Sequence, residues 1–214
     1  MARTVAPLLS FGASGAIAKT QVYAKWKGRP YARRYVVPAN PNTTAQQAVR
    51  NTFGWLNNVW KYMPGAAVAG WTAYGDVSQF TARNGWLKIN VSNLIGQADL
   101  TDFIFSPSAR SGLIAPGVTV TPGAGQLTVT PDEPSLPTGW SINSATAAAI
   151  KQQDPASGVD FQVFAATDAA TPFAPVITGL TAAATYVVGA WFEFTKANGD
   201  LAYGQSIMST GIPT

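Results

Sequence analysis

The sequence predicts an α+β chain of more than one module: an N-terminal arm and basic β-hairpin with helices, then an all-β C-terminal part. Three observations carry this. Residues 19–60 hold two aromatic, β-prone runs followed by a strongly signalled helix; the tail switches to period-2 alternation; and the charge changes sign between the halves. Residues 1–88 hold eleven Lys and Arg against the single acid Asp76, whereas residues 89–214 hold three against nine acids. Such asymmetry points to two modules, the first facing a polyanion or an acidic surface.

The expected organisation is an extended arm over 1–18, a basic hairpin with helical docking module over 19–95, a linker over 96–111 and an all-β domain over 112–214. The arm is small and broken by Gly and Ser. Arg3 with the apolar run after it mimics a leader peptide, but Pro7, Ser10, Gly12, Ser14 and Gly15 interrupt it. With no stretch of ~20 apolar residues, no membrane span is expected, and assembly inside the producing cell is the default.

Gln21–Trp26 and 31–37 read as paired strands, with Lys27-Gly28-Arg29-Pro30 as the turn in which Pro30 presets one dihedral. Pro38 and Pro41 end the second strand. Thr43 and Thr44 each offer a helix cap, with Gln46 and Gln47 three residues on. Ala45, Val49, Thr52/Phe53, Leu56, Val59/Trp60 and Met63 then mark one buried helical face, ended by Pro64-Gly65. Gly54, costly inside a helix, suggests close approach by another element. Further helices are expected at 66–74 and near 77–95, the latter with Phe80, Leu87, Val91 and Leu94 on one stripe. Trp55, Trp60, Trp71 and Trp86 are expected in the core.

Segment 96–111, rich in Ser, Pro and Gly, shows no period. Seven short strands follow, at 117–120, 126–130, 140–150, 161–165, 175–178, 185–195 and 201–207, with Asn198-Gly199 as the clearest hairpin turn. In 185–195, Tyr186, Val188, Ala190, Phe192 and Phe194 share one face, and Val187, Gly189, Trp191, Glu193 and Thr195 the other.

The composition narrows the chemistry. There is no Cys and no His, which removes thiolate nucleophiles, imidazole bases, Cys/His zinc sites and disulfides. Asp99 with Asp102, and Asp132 with Glu133, are the paired carboxylates, and both pairs read as solvated loop acids. The run Gly12–Thr20 fails the phosphate-loop spacing, since three residues separate Gly15 from Lys19. No catalytic residue, cofactor or metal ligand is expected. Charged residues make up only 11% of the chain, which fits either a surface covered by neighbours or a β-rich surface of Thr, Ser, Asn and Gln.

Binding is therefore assigned to the hairpin, through Lys25, Trp26, Lys27, Arg29, Tyr31, Arg33 and Arg34. Arg and Lys beside Tyr and Trp can clamp carboxylates or grip phosphates and stack bases, and no acid between Arg3 and Asp76 neutralises them.

Two resemblances extend this reading. Ile177–Tyr186 resembles the corner of fibronectin type III domains, where a Gly-Leu pair precedes a tyrosine whose hydroxyl ties the corner. That implies an immunoglobulin-like or fibronectin III-like sandwich over 112–214, although the strand at 126–130 lacks the core Trp usual there. KWKGRPYARRYVVPANPNTTAQQAVR, the Trp-rich helices with WTAYGDVSQFTARN and the sandwich tail together resemble small structural proteins of tailed-phage virions. The resemblance implies a repeated, non-enzymatic virion component assembled in the host cytoplasm and present in multiple copies. A capsid decoration or cement protein on the major capsid protein comes first, and a tail, connector or fibre-attachment protein second. A nucleic-acid-binding protein is the reading from a different class.

Overall fold

The computed structural model describes residues 14–37 and 39–214, with the backbone of Ala2–Arg3. It has three α-helices and mostly antiparallel sheets, so the α+β class is observed. The chain divides into two compact units, Met1–Asn42 and Thr43–Thr214.

The first unit is a four-stranded sheet of order β1-β4-β3-β2, formed by β1 (Ala2–Arg3), β2 (Gly15–Ile17), β3 (Gln21–Trp26) and β4 (Arg29–Arg34). Most of the arm expected over 1–18 lies outside the described residues, as does Pro38. The described parts of the arm are edge strands, β1 pairing with β4 and β2 with β3. The β3–β4 turn is tighter than expected. Lys27 and Gly28, with φ of 48° and 77°, make a two-residue connection in which both central residues are left-handed. Pro30 lies in β4 opposite Lys25 rather than in the turn. The pair next to the closing Trp26–Arg29 pair is non-hydrogen-bonded, so the missing N–H of proline costs that ladder nothing.

The second unit has three layers. The helical layer holds α1 (Thr44–Val59), a 3-10 turn (Trp60–Tyr62), α2 (Gly65–Ser78) and α3 (Ala82–Leu94). Thr43 is the cap of α1, its hydroxyl accepting from the Gln46 amide at 3.3 Å. The helix expected near 77–95 is broken: α2 closes with Gln79 left-handed (φ 58°), and Thr81 caps α3 by accepting from Asn84. Gly54 has open space where a side chain would sit, whereas a Cβ at Gly85 would lie 3.2 Å from the Tyr74 ring. Close approach falls at Gly85, and on α2 at Gly70 and Gly75, rather than at Gly54.

The middle layer is a six-stranded sheet. Its strands are β5 (Arg110–Ile114), β8 (Ser141–Lys151), β9 (Val163–Asp168), β11 (Tyr186–Thr195), β12 (Leu201–Gln205) and β13 (Ile207–Gly211). They run in the order β5-β12-β11-β8-β9, with β13 also on β11. The third layer is β6 (Val118–Gly123), β7 (Gln126–Pro131) and β10 (Val176–Thr178), ordered β10-β7-β6. The expected last strand at 201–207 is two strands interrupted at Ser206, and β5 falls within and just beyond the expected linker.

Both faces of the middle sheet are buried. Tyr186, Val188 and Ala190 meet Leu127, Val129 and Ile177 of the small sheet, while Val187 and Trp191 join Ala148 and Ile150 in the core beneath the helices. Phe192 and Phe194 continue the first face into a cluster with Ala145 and Phe173. The alternation read from 185–195 therefore separates two cores, up to a bulge where Asn143 is the extra residue on β8.

The separation into 1–95 and 112–214 gives way to a boundary at Asn42/Thr43, because residues 96–111 are not a linker. Leu100, Phe103, Phe105 and Ser106 are fully buried. Edge contacts run from Trp55 and Trp86 to Phe103 and on to Phe105, which stacks on Trp191 with ring planes 17° apart. The irregular backbone finds its partners in side chains. Asn90 donates to the Ile104 carbonyl and accepts from its amide, at 3.1 and 2.8 Å, and the Trp71 indole donates to the Phe105 carbonyl at 2.7 Å. The Ser206 hydroxyl accepts from the Phe105 amide at 3.1 Å. Gly189 makes room for this segment, since a Cβ there would collide with the Phe105 ring.

Tyr186 accepts a hydrogen bond at its phenol oxygen from the Thr181 amide, 3.0 Å away, which ties the turn between β10 and β11. The helical stripe of α1 is only half buried. Leu56 and Val59 are sealed, but Ala45 is exposed, as are Val49 at 39% and Phe53 at 48%. Among the described residues no helix is long and apolar enough to cross a membrane.

Candidate docking surface

Strand pairing sorts the hairpin side chains onto two faces. β3 and β4 are in register from Gln21 opposite Arg34 to Trp26 opposite Arg29, and directly opposed residues point to the same side. One face carries Trp26, Arg29, Tyr31 and Arg33, with Val22 and Ala24 between them. The other carries Lys25 and Arg34, with Gln21, Tyr23 and Pro30. Lys27 is in the turn, its ammonium 5.0 Å from the centre of the Trp26 ring. The seven residues assigned to binding from sequence therefore do not form one patch: four share a face, two lie behind it, and Lys27 caps the tip.

The first face has the finer organisation. Along β4 it presents cation, aromatic, cation at steps of about 6–7 Å, the two-residue repeat of a strand. Alongside, β3 presents Trp26, Ala24 and Val22, and the small Ala24 opposite Tyr31 leaves room beside the phenol. Trp26 is 66% exposed, and Arg29 and Arg33 are exposed while Tyr31 is half-buried. The two guanidiniums, four residues apart on β4, match carboxylates four positions apart on an extended acidic segment, which bidentate arginine contacts suit. Behind it, the Tyr23 hydroxyl bonds the Gln21 side chain at 3.2 Å.

Among the described residues of this sheet only Ala32, 5% exposed, is buried. Ile17, on β2, is 44% exposed. A four-stranded sheet with one buried residue among those described has little apolar burial there to offset the conformational entropy of ordering it. Covering either face with a partner would supply that burial.

The remaining acids have structural tasks or face solvent. Asp99 accepts from the Thr101 amide at 3.0 Å, which lowers its pKa. Asp168 accepts from the Ala174 and Ala170 amides, both at 2.9 Å, and these bonds lower its pKa in the same way. Asp102, Asp132 and Glu133 are exposed. Among the described residues no group of three or more acids gathers as a metal site would require.

Sequence reasoning did not find the second exposed apolar feature, the outer side of the helical layer. Val49 and Phe53 on α1, exposed beside the buried Leu87 and half-buried Val91 of α3, follow the three-to-four-residue spacing that reads as core, and that spacing does not say which part of a stripe stays uncovered. Comparison with protein-family models and with curated proteins finds no match to this chain.

Proposed function

We propose that this chain is a non-enzymatic structural protein of a tailed-phage particle, a capsid decoration or cement protein that docks through its N-terminal sheet. The observation that carries the reading is that sheet itself: basic, acid-free, aromatic and with one buried residue among those described. Its partner is an acidic protein surface, and the face with Trp26, Arg29, Tyr31 and Arg33 makes the contact. Aromatic side chains supply the apolar part of the affinity and arginines its register.

In this reading residues 112–214 are an immunoglobulin-like or fibronectin III-like module that projects from the particle. Two facing sheets and the Tyr186 corner support it. The helical layer would then be an elaboration covering the outer face of the larger sheet.

The test is incorporation into particles assembled with and without the variant Arg29→Ala/Arg33→Ala/Arg34→Ala, alone and with Trp26→Ala. Exposed pairs are worth ~0–1 kcal/mol each, so the triple variant should weaken binding about tenfold to a hundredfold at low salt and leave the residual binding less dependent on salt. Undiminished incorporation sinks the docking face. Tight binding to naked DNA, falling steeply with salt and without association to capsid or tail subunits, would establish the nucleic-acid reading instead.

A further inference from the structure

From the helical layer and the far end of the β-layers we infer that copies of this chain associate head to tail, the α1/α3 groove of one taking the acidic end of the next. This interface does not use the N-terminal sheet.

The groove lies between α1 and α3, which Arg83 joins by a hydrogen bond to Asn57. It is lined by Phe53, Leu87 and Val91, with Asn84 and Lys88 beside them. Leu87 is buried and Val91 half-buried, but Phe53 is 48% exposed, an unusual position for a phenylalanine midway along a helix. The rim is cationic. Arg83 and Lys88 are exposed, and Lys88 lies 4.7 Å from the centre of the Phe80 ring. Across the whole helical layer the one acid is Asp76 on α2, and Arg110 holds it at 3.2 Å. An apolar floor with such a rim selects an occupant that is acidic and partly apolar.

The chain itself carries such a surface. Asp132 and Glu133 begin the β7–β8 connection, Asp168 ends β9, and Asp200 sits in the β11–β12 turn. These connections close over one cluster, with Trp140 against Phe194 and Phe173 against Phe192, so the acids gather at one end of the sheets. Neither ion pair found among the described residues, Arg110–Asp76 or Lys151–Asp160, uses any of the four. The cation at this end is Lys196, 5.2 Å from the centre of the Trp140 ring. Leu201, 42% exposed beside Asp200, gives the end an apolar tip. Groove and end are different surfaces of one chain, so the contact is heterologous and repeats as a ring or an open row.

Sedimentation velocity of the full chain over a concentration series, at low and high salt, tests this. The wild type should associate at low salt and dissociate at high salt. Arg83→Glu/Lys88→Glu puts acid against acid, and Asp132→Lys/Glu133→Lys/Asp200→Lys puts base against base. Each variant alone should remain monomeric at concentrations at least tenfold above those where the wild type associates. Mixed together they should associate again, because each supplies the sign the other lacks. Phe53→Ser, with charges unchanged, should weaken association at low salt, and a wild-type-like melt would show that the variants fold. Arg29→Ala/Arg33→Ala/Arg34→Ala should associate like wild type, which separates this interface from the docking face. A monomeric wild type throughout, a groove variant that associates as well as wild type, or a mixture that stays monomeric overturns the inference.

Discussion

The N-terminal sheet and the middle sheet of the second unit are made from similar material and end in opposite states. Both are antiparallel over most of their length and rich in aromatic residues. In the N-terminal sheet only Ala32 is buried among the described residues, whereas β11 buries nearly every side chain on both faces. The difference is local. Along β3 and β4, Lys and Arg occur on both faces, so neither can be enclosed without a partner that answers the charge. Along β8 the side chains from Ala145 to Ile150 carry no charge, and each face can be covered by the chain itself. One sheet is enclosed by folding, and the other keeps most of its described side chains in contact with solvent.

Removing a layer should break that contrast most. A fragment of residues 112–214 strips the helices and the buried 96–111 segment from the middle sheet, exposing Ala148, Ile150, Val187 and Trp191. It should lack a cooperative thermal transition, while residues 43–214 keep one; a fragment 112–214 that melts like the full chain contradicts the shared core. Single side chains sharpen the comparison. Phe105→Ala should cost about 3–5 kcal/mol in denaturant unfolding, against about 0.5 kcal/mol or less for Trp26→Ala, an aromatic that leaves no cavity. Equal losses would mean that the N-terminal sheet is not open.

Asn90→Ala should cost about 1–3 kcal/mol, because the buried amide and carbonyl of Ile104 both lose their partner. A loss below a few tenths would show that water replaces it. The smallest effect concerns pH. Burial raises the pKa of Tyr203, and Glu193 opposite it raises it further, against a lowering by Arg110. The folded state therefore holds this proton more tightly than the unfolded chain. Stability should fall as pH rises from the ordinary tyrosine range, about 10, through the raised value. Tyr203→Phe should flatten that slope in urea titrations at alkaline pH.

Elements with local signals were legible in the sequence: the Thr43 cap, the hairpin strands, the two faces of β11 and the Tyr186 corner. What escaped it depends on distant partners. Segment 96–111 has no period, because its backbone is satisfied by Asn90, Trp71 and Ser206 rather than by a ladder of its own. The apolar residues Leu100, Phe103 and Phe105 were its one sequence sign of burial. In the candidate site, composition identified the residues but not their division between faces. That division follows from the alternation of the paired strands, and the two-residue turn Lys27-Gly28, tighter than the turn over 27–30 read from sequence, adds Arg29 to the ladder opposite Trp26.

The middle sheet is also a partition. Leu127 belongs to the core on one side of it and Phe105 to the core on the other, and no side chain is common to the two. Damage to one should leave the other's packing intact. Phe105→Ala and Leu127→Ala should therefore combine to the sum of their separate losses, within about 0.3–0.5 kcal/mol. In inheritance as in the test tube, the helical layer and the small sheet are free to change independently, provided the sheet between them keeps its strand register.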